Sequence, residues 1–180
     1  KKIFENEIKL ASKFILLSKS PNNLWSYSKS WIDDADSTNF ALISLHFLDL
    51  LENYNHDNWS AYFNGNYFST YKNQKFLLNS LSDNNIKDVS GWCADHYCVS
   101  AVSLYYLACS NNKTNKLKKL LNNFKALDLN SIQAYWWSDN IYTLYYLFLA
   151  YKKLNIISEL QKIQDYVGSK IKYDFYEDYY

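Results

Sequence analysis

The chain has no arginine: all 19 basic positions are lysine, set against 18 acidic ones for a formal net charge of +1. Proteins that grip phosphate backbones are usually basic and use the guanidinium fork, which matches phosphate geometry in a way an ammonium does not. Nucleic acid is therefore not an expected partner. The abundance of Lys, Asn, Ile and Tyr fits an AT-rich gene more simply than any chemistry. Methionine is also absent, even at position 1, so the sequence reads as one whose start was removed or as an excised piece. A single proline (Pro21) and three glycines exclude a collagen-like or Gly/Pro-rich disordered chain. No apolar run reaches the roughly 18 residues of a spanning helix, so no membrane span is expected. The N-terminal Lys1-Lys2-Ile3-Phe4 is no convincing signal peptide, because Glu5, Glu7 and Lys9 interrupt it, and the compartment is not written in the residues. Three cysteines (Cys93, Cys98, Cys109) are too few, and odd in number, for a disulfide scaffold. Cys93, His96 and Cys98 have the look of metal ligands but lack a fourth partner at zinc-finger spacing, and buried small thiols are the simpler reading. No metal site is assigned.

Aromatic residues are abundant. They make up 19% of the 180 residues, as eighteen Tyr, ten Phe and six Trp, within a hydrophobic fraction of 48%. That is material for one core, in one domain or a sizeable piece of a larger one. Helical periodicity dominates. Ile3, Glu7, Leu10, Phe14 and Leu17 mark an amphipathic helix over 2–18. After a loop carrying Trp25, Tyr27 and Trp31, Asp36 or Ser37 is the expected N-cap of a nearly all-apolar helix over about 38–52. A polar aromatic loop (Trp59 to Tyr71), a short helix near 73–82 and the loop Asp83–Gly91 lead to a second apolar helix, about 95–109. A Lys-rich amphipathic helix near 115–126 precedes a third apolar helix, about 140–153, capped by Ser138 or Asp139. A last amphipathic helix is expected near 156–168, and Tyr173–Tyr180 reads as the approach to another repeat. Asparagine serves as the punctuation that Gly and Pro supply elsewhere.

Trp31, Trp92 and Trp137 stand just ahead of the three apolar helices, 61 and then 45 residues apart, as in a degenerate internal repeat. The expectation is an all-α array of helical hairpins in two layers, with 38–52, 95–109 and 140–153 inside and their starts gathered at one rim.

Four stretches carry a resemblance. They are Trp31-Ile-Asp-Asp-Ala-Asp-Ser-Thr38, Gly65-Asn-Tyr-Phe-Ser-Thr-Tyr71, Asp88-Val-Ser-Gly-Trp92 and Tyr135-Trp-Trp-Ser-Asp-Asn-Ile-Tyr-Thr143. In order and spacing they resemble the repeats of the α/α-toroid superfamily of squalene–hopene cyclase-like, class II terpene cyclase-like and prenyltransferase-like proteins. The first is similar to the DxDDT entry of an inner helix, whose middle Asp protonates an isoprenoid alkene or epoxide. The resemblance makes residues 1–180 a partial toroid. It aligns Asp36 with the acid and Asp34 with the first Asp of the motif, while Ser37 replaces the last. It also implies an aromatic pocket for an apolar small molecule, in which Trp31, Trp92, Tyr97, Trp136, Trp137 and Tyr142 stabilise a cation through their ring faces.

The same residues have plainer readings. Asp33, Asp34 and Asp36 can cap a helix, the aromatics can pack between layers, and His96 can be a hydrogen-bonded spectator instead of an acid or base. Lys116, Lys118 and Lys119 read as a solvated outer face. No cofactor is expected: there is no Gly-rich phosphate loop, nucleophile elbow or H-E-x-x-H, and no convincing Asp-rich magnesium motif. A closed ring takes roughly twice the hairpins found here, so either more chain or a second subunit would complete it. Two function classes stay open: a terpene cyclase-like or prenyltransferase-like module not catalytic on its own, and a non-catalytic repeat domain that binds a peptide or protein.

Overall fold

A computed structural model of the chain describes residues 4–52, 54–81, 85–111 and 114–177, the last seven as helix backbone only. Ile3 of the first stripe, the expected helix end at 82 and the final three residues lie outside these. Eight α-helices are described: α1 Glu5–Leu17, α2 Ala35–Phe47, α3 Asp57–Ser60, α4 Gln74–Ser80, α5 Tyr97–Cys109, α6 Asn115–Ala126, α7 Ile141–Lys153 and α8 Ile157–Glu177. Two 3-10 turns, Ser90–Cys93 and Leu129–Ser131, complete them. Among the described residues there is no strand, only three isolated bridges. No described helix is long and apolar enough to cross a membrane.

The apolar helices form the inner layer. α5 is buried on almost every side, from Cys98 through Cys109 with only Tyr105 partly open, and α2 and α7 pack on it. Outside them, α1 packs on α2, α6 on α5 and α8 on α7. α6 buries only the stripe Leu117, Leu120 and Phe124 and leaves its lysines at 116, 118 and 119 outside the core, as amphipathic spacing dictates.

Asp34, rather than Asp36 or Ser37, is the N-cap of α2, so the helix starts three residues before the expected position. It also stops at Phe47 instead of 52, because Asp49 turns left-handed (φ 55°) and Leu50 N–H bonds back to Leu45 O at 2.9 Å. Asn155 (φ 57°) ends α7 in the same way, with Ile156 N–H reaching Tyr151 O at 2.9 Å. Asn111 (φ 53°) follows α5. Asx side chains tolerate this backbone region, which is how a glycine-poor chain stops its helices. α7 begins after Asn140, and Asp139 Oδ1 accepts from Ile141 N–H at 2.8 Å.

Three expectations need correction. The stripe Leu10, Phe14 and Leu17 of α1 faces outward, each side chain more than two-thirds exposed, because none of the described residues lies over it. α8 continues to Glu177 through Tyr173, where an approach to a new repeat was expected. Nothing after Gly168 breaks it, since one internal glycine costs a helix only about 1 kcal/mol. The stretch 59–71, read as loop throughout, opens with the single turn of α3.

Candidate functional site

The loop Gly65–Tyr71 ties the starts of the inner helices together. Thr70 O accepts from Ala35 N–H at 3.0 Å at the head of α2, and Phe68 O accepts from His96 N–H at 2.9 Å at the head of α5. Phe68 N–H in turn donates to Ser100 Oγ at 2.7 Å. Tyr71 N–H reaches Trp92 O at 3.2 Å. Gly65 sits at φ 96°, a backbone region that disfavours a side chain, where the loop turns.

At this rim lies an open cleft of about 400 Å³ lined by Trp31, Trp92, Trp136, Tyr71, Thr70 and Asp36, with Tyr27, Asp34 and Ser37 beside them. Two of the indoles are anchored by their polar ends. Trp31 Nε1–H donates to Tyr71 Oη at 2.9 Å and Trp136 Nε1–H to Thr70 Oγ1 at 2.8 Å. Trp92 meets Trp136 edge-on at 5.8 Å. Behind Thr70, His96 is fully committed. Its Nε2 lies 2.8 Å from Gly91 O, a pure acceptor, so Nε2 carries the proton and Nδ1 accepts from Thr70 Oγ1 at 2.7 Å. Burial holds the imidazole below its ordinary pKa, and Tyr135 stacks on it at 4.2 Å. Both ring nitrogens of His96 are thus engaged, and a side chain on Gly91 would strike the Tyr135 hydroxyl.

The run of carboxylates separates into three roles. Asp33 Oδ2 accepts from Ser20 Oγ at 2.8 Å and Asn22 Nδ2 at 3.4 Å, tying down the preceding loop. Asp34 caps α2: Oδ1 accepts from Ser37 N–H at 2.6 Å, and Oδ2 from Ser37 Oγ at 2.8 Å and Tyr27 N–H at 3.1 Å. Asp36 does neither. It lines the cleft, and its Oδ1 is buried with no hydrogen-bond partner among the described residues. Burial, and then the neighbouring Asp34 charge, push its carboxyl up from 3.8 to about 7. Asp34 is also raised by burial, to about 6, but hydrogen bonds from Ser37, Tyr27 and Asp36 oppose the rise and favour its charged form. As pH rises, Asp34 therefore ionises first and Asp36 keeps its proton longer.

The other sequence candidates divide. Trp31, Trp92 and Trp136 meet at the cleft with Asp36, but Trp137 does not. It lines a neighbouring cavity of about 520 Å³ between α7 and α8, with Leu144 and Val167, and stacks on Tyr142 at 4.6 Å. Of the two adjacent indoles, Trp136, one residue before the repeat position, is the one that lines this cleft. Tyr97 is not at the cleft either: it packs against Tyr67 (4.9 Å) and Phe124 of α6 (6.3 Å), between the layers. Sequence reasoning missed a second group. From Trp137 and Tyr142 an aromatic wall runs to Tyr146, which meets Phe40 at 5.9 Å and Tyr105 at 6.1 Å, and Tyr105 meets Phe47 at 6.5 Å. Asp36, Phe40, Ile43 and Phe47 recur at helical spacing on the less buried face of α2, a signal that was available in the sequence. Thr70 and Tyr71 were missed because nothing local marks them as wall residues.

No protein-family model matches the chain, and no curated protein matches it in sequence. Solved structures do match. A variant of the type II terpene cyclase MstE from Scytonema, in complex with its substrate geranylgeranyl dihydroxybenzoate, is similar at TM-score 0.66 and 18% identity, over 88% of this chain and 45% of that one. Another MstE variant, in complex with the product merosterolic acid A, is similar at 0.65 and 18%, over 88% and 45%. A protein from Actinoplanes is similar at 0.63 and 19%, over 80% and 44%. The chain spans less than half the length of these proteins. Its fold is that of the type II terpene cyclase-like α/α toroid, present as a partial ring.

Proposed function

We propose that residues 1–180 form one partial toroid domain that binds an apolar, isoprenoid-like small molecule along the aromatic wall and presents Asp36 to it as a general acid, without completing a cyclisation on its own. One observation carries this reading: beside the Asp34 cap, Asp36 is left as an unpartnered carboxyl at a cleft lined by aromatic rings, where burial favours its protonated form. In the step this supports, the Asp36 O–H bond breaks as the π pair of an alkene forms a C–H bond. A carbocation results, and a carboxylate remains on Asp36. Ring faces of Trp31, Trp92 and Trp136 attract that cation, each by about 0.5–2 kcal/mol according to how dry the site is. Tyr142, Tyr146 and Phe40 continue the apolar surface for the rest of an extended chain.

The test is titration of geranylgeranyl and farnesyl compounds into the protein, followed by indole fluorescence. Saturable quenching that weakens several-fold in Trp136→Ala is the expected result, because that ring is both wall and reporter. A chain that ignores polyprenyl ligands and instead captures extended peptides would replace this reading with that of a peptide-binding repeat domain.

A further inference from the structure

Trp136, Thr70, His96 and Gly91 form one line of hydrogen bonds that runs from the cleft into the interior. Trp136 Nε1–H donates to Thr70 Oγ1 at 2.8 Å, Thr70 Oγ1–H to His96 Nδ1 at 2.7 Å, and His96 Nε2–H to Gly91 O at 2.8 Å. Every member gives its proton in the same direction. A hydroxyl that donates along such a line is a better acceptor at its own oxygen, so His96 strengthens the hold of Thr70 on the indole. Thr70 and His96 are buried, whereas Trp136 is 39% exposed and lines the cleft, so the line connects an interior titratable group to a wall ring. Tyr135 stacks on the imidazole, and Trp136 meets it edge-on at 5.8 Å. Thr70 is the vulnerable link, because its hydroxyl has one proton and can give it to one neighbour.

We propose that His96 is a positioning residue that fixes the Trp136 ring at the cleft through Thr70, and that protonation of His96 in acid loosens that ring and weakens ligand binding. A protonated imidazole is a donor at both nitrogens. Nδ1 then donates to Thr70 Oγ1, the line reverses at that point, and the hydroxyl proton must turn out of it. The Thr70 oxygen now serves two donors, the imidazolium and the indole, and the bond to the indole weakens. The groups facing the imidazole are Gly91 O from the 3-10 turn, Thr70 from the Gly65–Tyr71 loop, Tyr135 and Trp136 from the connection before α7, and the neighbouring Asp95. Burial outweighs the Gly91 hydrogen bond and the Asp95 charge and holds the imidazole below its ordinary 6.5, so the neutral form that holds Thr70 prevails at neutral pH. Asp34 and Asp36 line the cleft with Thr70 and titrate in their own right. The effect on binding rests on the cleft being the polyprenyl site proposed above; the coupling of His96 to Trp136 does not.

The experiment follows two NMR resonances from pH 4 to 8: the Trp136 indole N–H, assigned by its loss in Trp136→Phe, and the His96 imidazole, assigned by its loss in His96→Asn. Both are expected to move with one midpoint, below 6.5. In His96→Asn, whose amide oxygen accepts from Thr70 without titrating, the Trp136 signal is expected to stay at its neutral-pH position. Thr70→Val is expected to abolish the response and Thr70→Ser to keep it. Binding of farnesyl and geranylgeranyl alcohols, which do not titrate, is expected to weaken by about two- to tenfold through the same midpoint, the range one hydrogen bond covers, and to stay level in His96→Asn. A Trp136 signal that ignores the His96 midpoint overturns the proposal. So does a response that persists in His96→Asn and vanishes in Asp36→Asn, since it then belongs to the cleft carboxyl. Should His96→Asn not fold, a response that survives Thr70→Val overturns it equally. Level binding across a midpoint that both resonances share overturns the effect on the ligand. A shared midpoint in a protein that binds no polyprenyl ligand at any pH upholds the coupling and removes the cyclase-like reading, so the two failures are separable.

Discussion

Asp34 is held by hydrogen bonds from Ser37, Tyr27 and Asp36, whereas Asp36, two residues on, accepts none, and this difference sets which of them keeps a proton. The linkage to stability follows directly. An unfolded Asp36 loses its proton near 3.8, while the folded chain keeps it to about 7. Between those values the folded state binds more protons than the unfolded one, so the contribution of Asp36 is fully present below about pH 4 and is lost as pH rises through 7. Asp36→Asn is therefore expected to flatten the pH dependence of the urea midpoint across this window. It should leave the smaller slope due to Asp34 and a protein more resistant than the parent at pH 8. Parallel profiles for the two proteins would contradict the burial and the pKa together. Little of this was readable beforehand. A run of Asp33, Asp34, Asp36 and Ser37 offers several possible caps, and the choice fell to the one whose second oxygen could also reach Tyr27 N–H across the loop. The step from Trp137 to Trp136 has the same origin. Adjacent residues in a turn point in different directions, and the contact that holds Trp136, Thr70, is 66 positions away.

At the scale of elements, hydrophobic periodicity located the starts of α1, α2, α4, α5, α6 and α7 to within about three residues, because the burial of an inner helix and the stripe of an outer one are both written in local spacing. It did not reveal which way a stripe faces when none of the described residues covers it. α1 shows this, with Phe14 73% exposed, whereas Leu104 on α5 is fully buried. These two positions make a matched pair of expectations. Leu104→Ala empties a site closed on all sides and should cost about 2–5 kcal/mol, whereas Phe14→Ala removes little buried surface and should stay within about 0.5 kcal/mol. Equilibrium denaturation of both variants checks the layering: a large loss at Phe14 would mean that α1 packs through its stripe after all.

The described helices form an arc, and Asp36 lines a cleft open to solvent. Similar solved structures are matched over only about 45% of their length, and Phe47 and Trp137 along the wall are each more than half exposed. A carbocation formed by Asp36 in such a place meets water before it meets a second alkene, since cyclisation depends on a dry, shaped cavity that delays quenching. Ser37 adds a second constraint: it stands where the resemblance implies a third carboxylate, and its hydroxyl goes to Asp34. The 180-residue chain incubated alone with squalene or geranylgeranyl substrates is therefore expected to yield no cyclised product. At most it should yield traces of alkene hydration that disappear in Asp36→Asn. Product analysis by mass spectrometry decides it. Cyclised product from the isolated chain, abolished by Asp36→Asn, would show that the arc closes around its ligand without help. Hydration that persists in Asp36→Asn would remove Asp36 from the acid role.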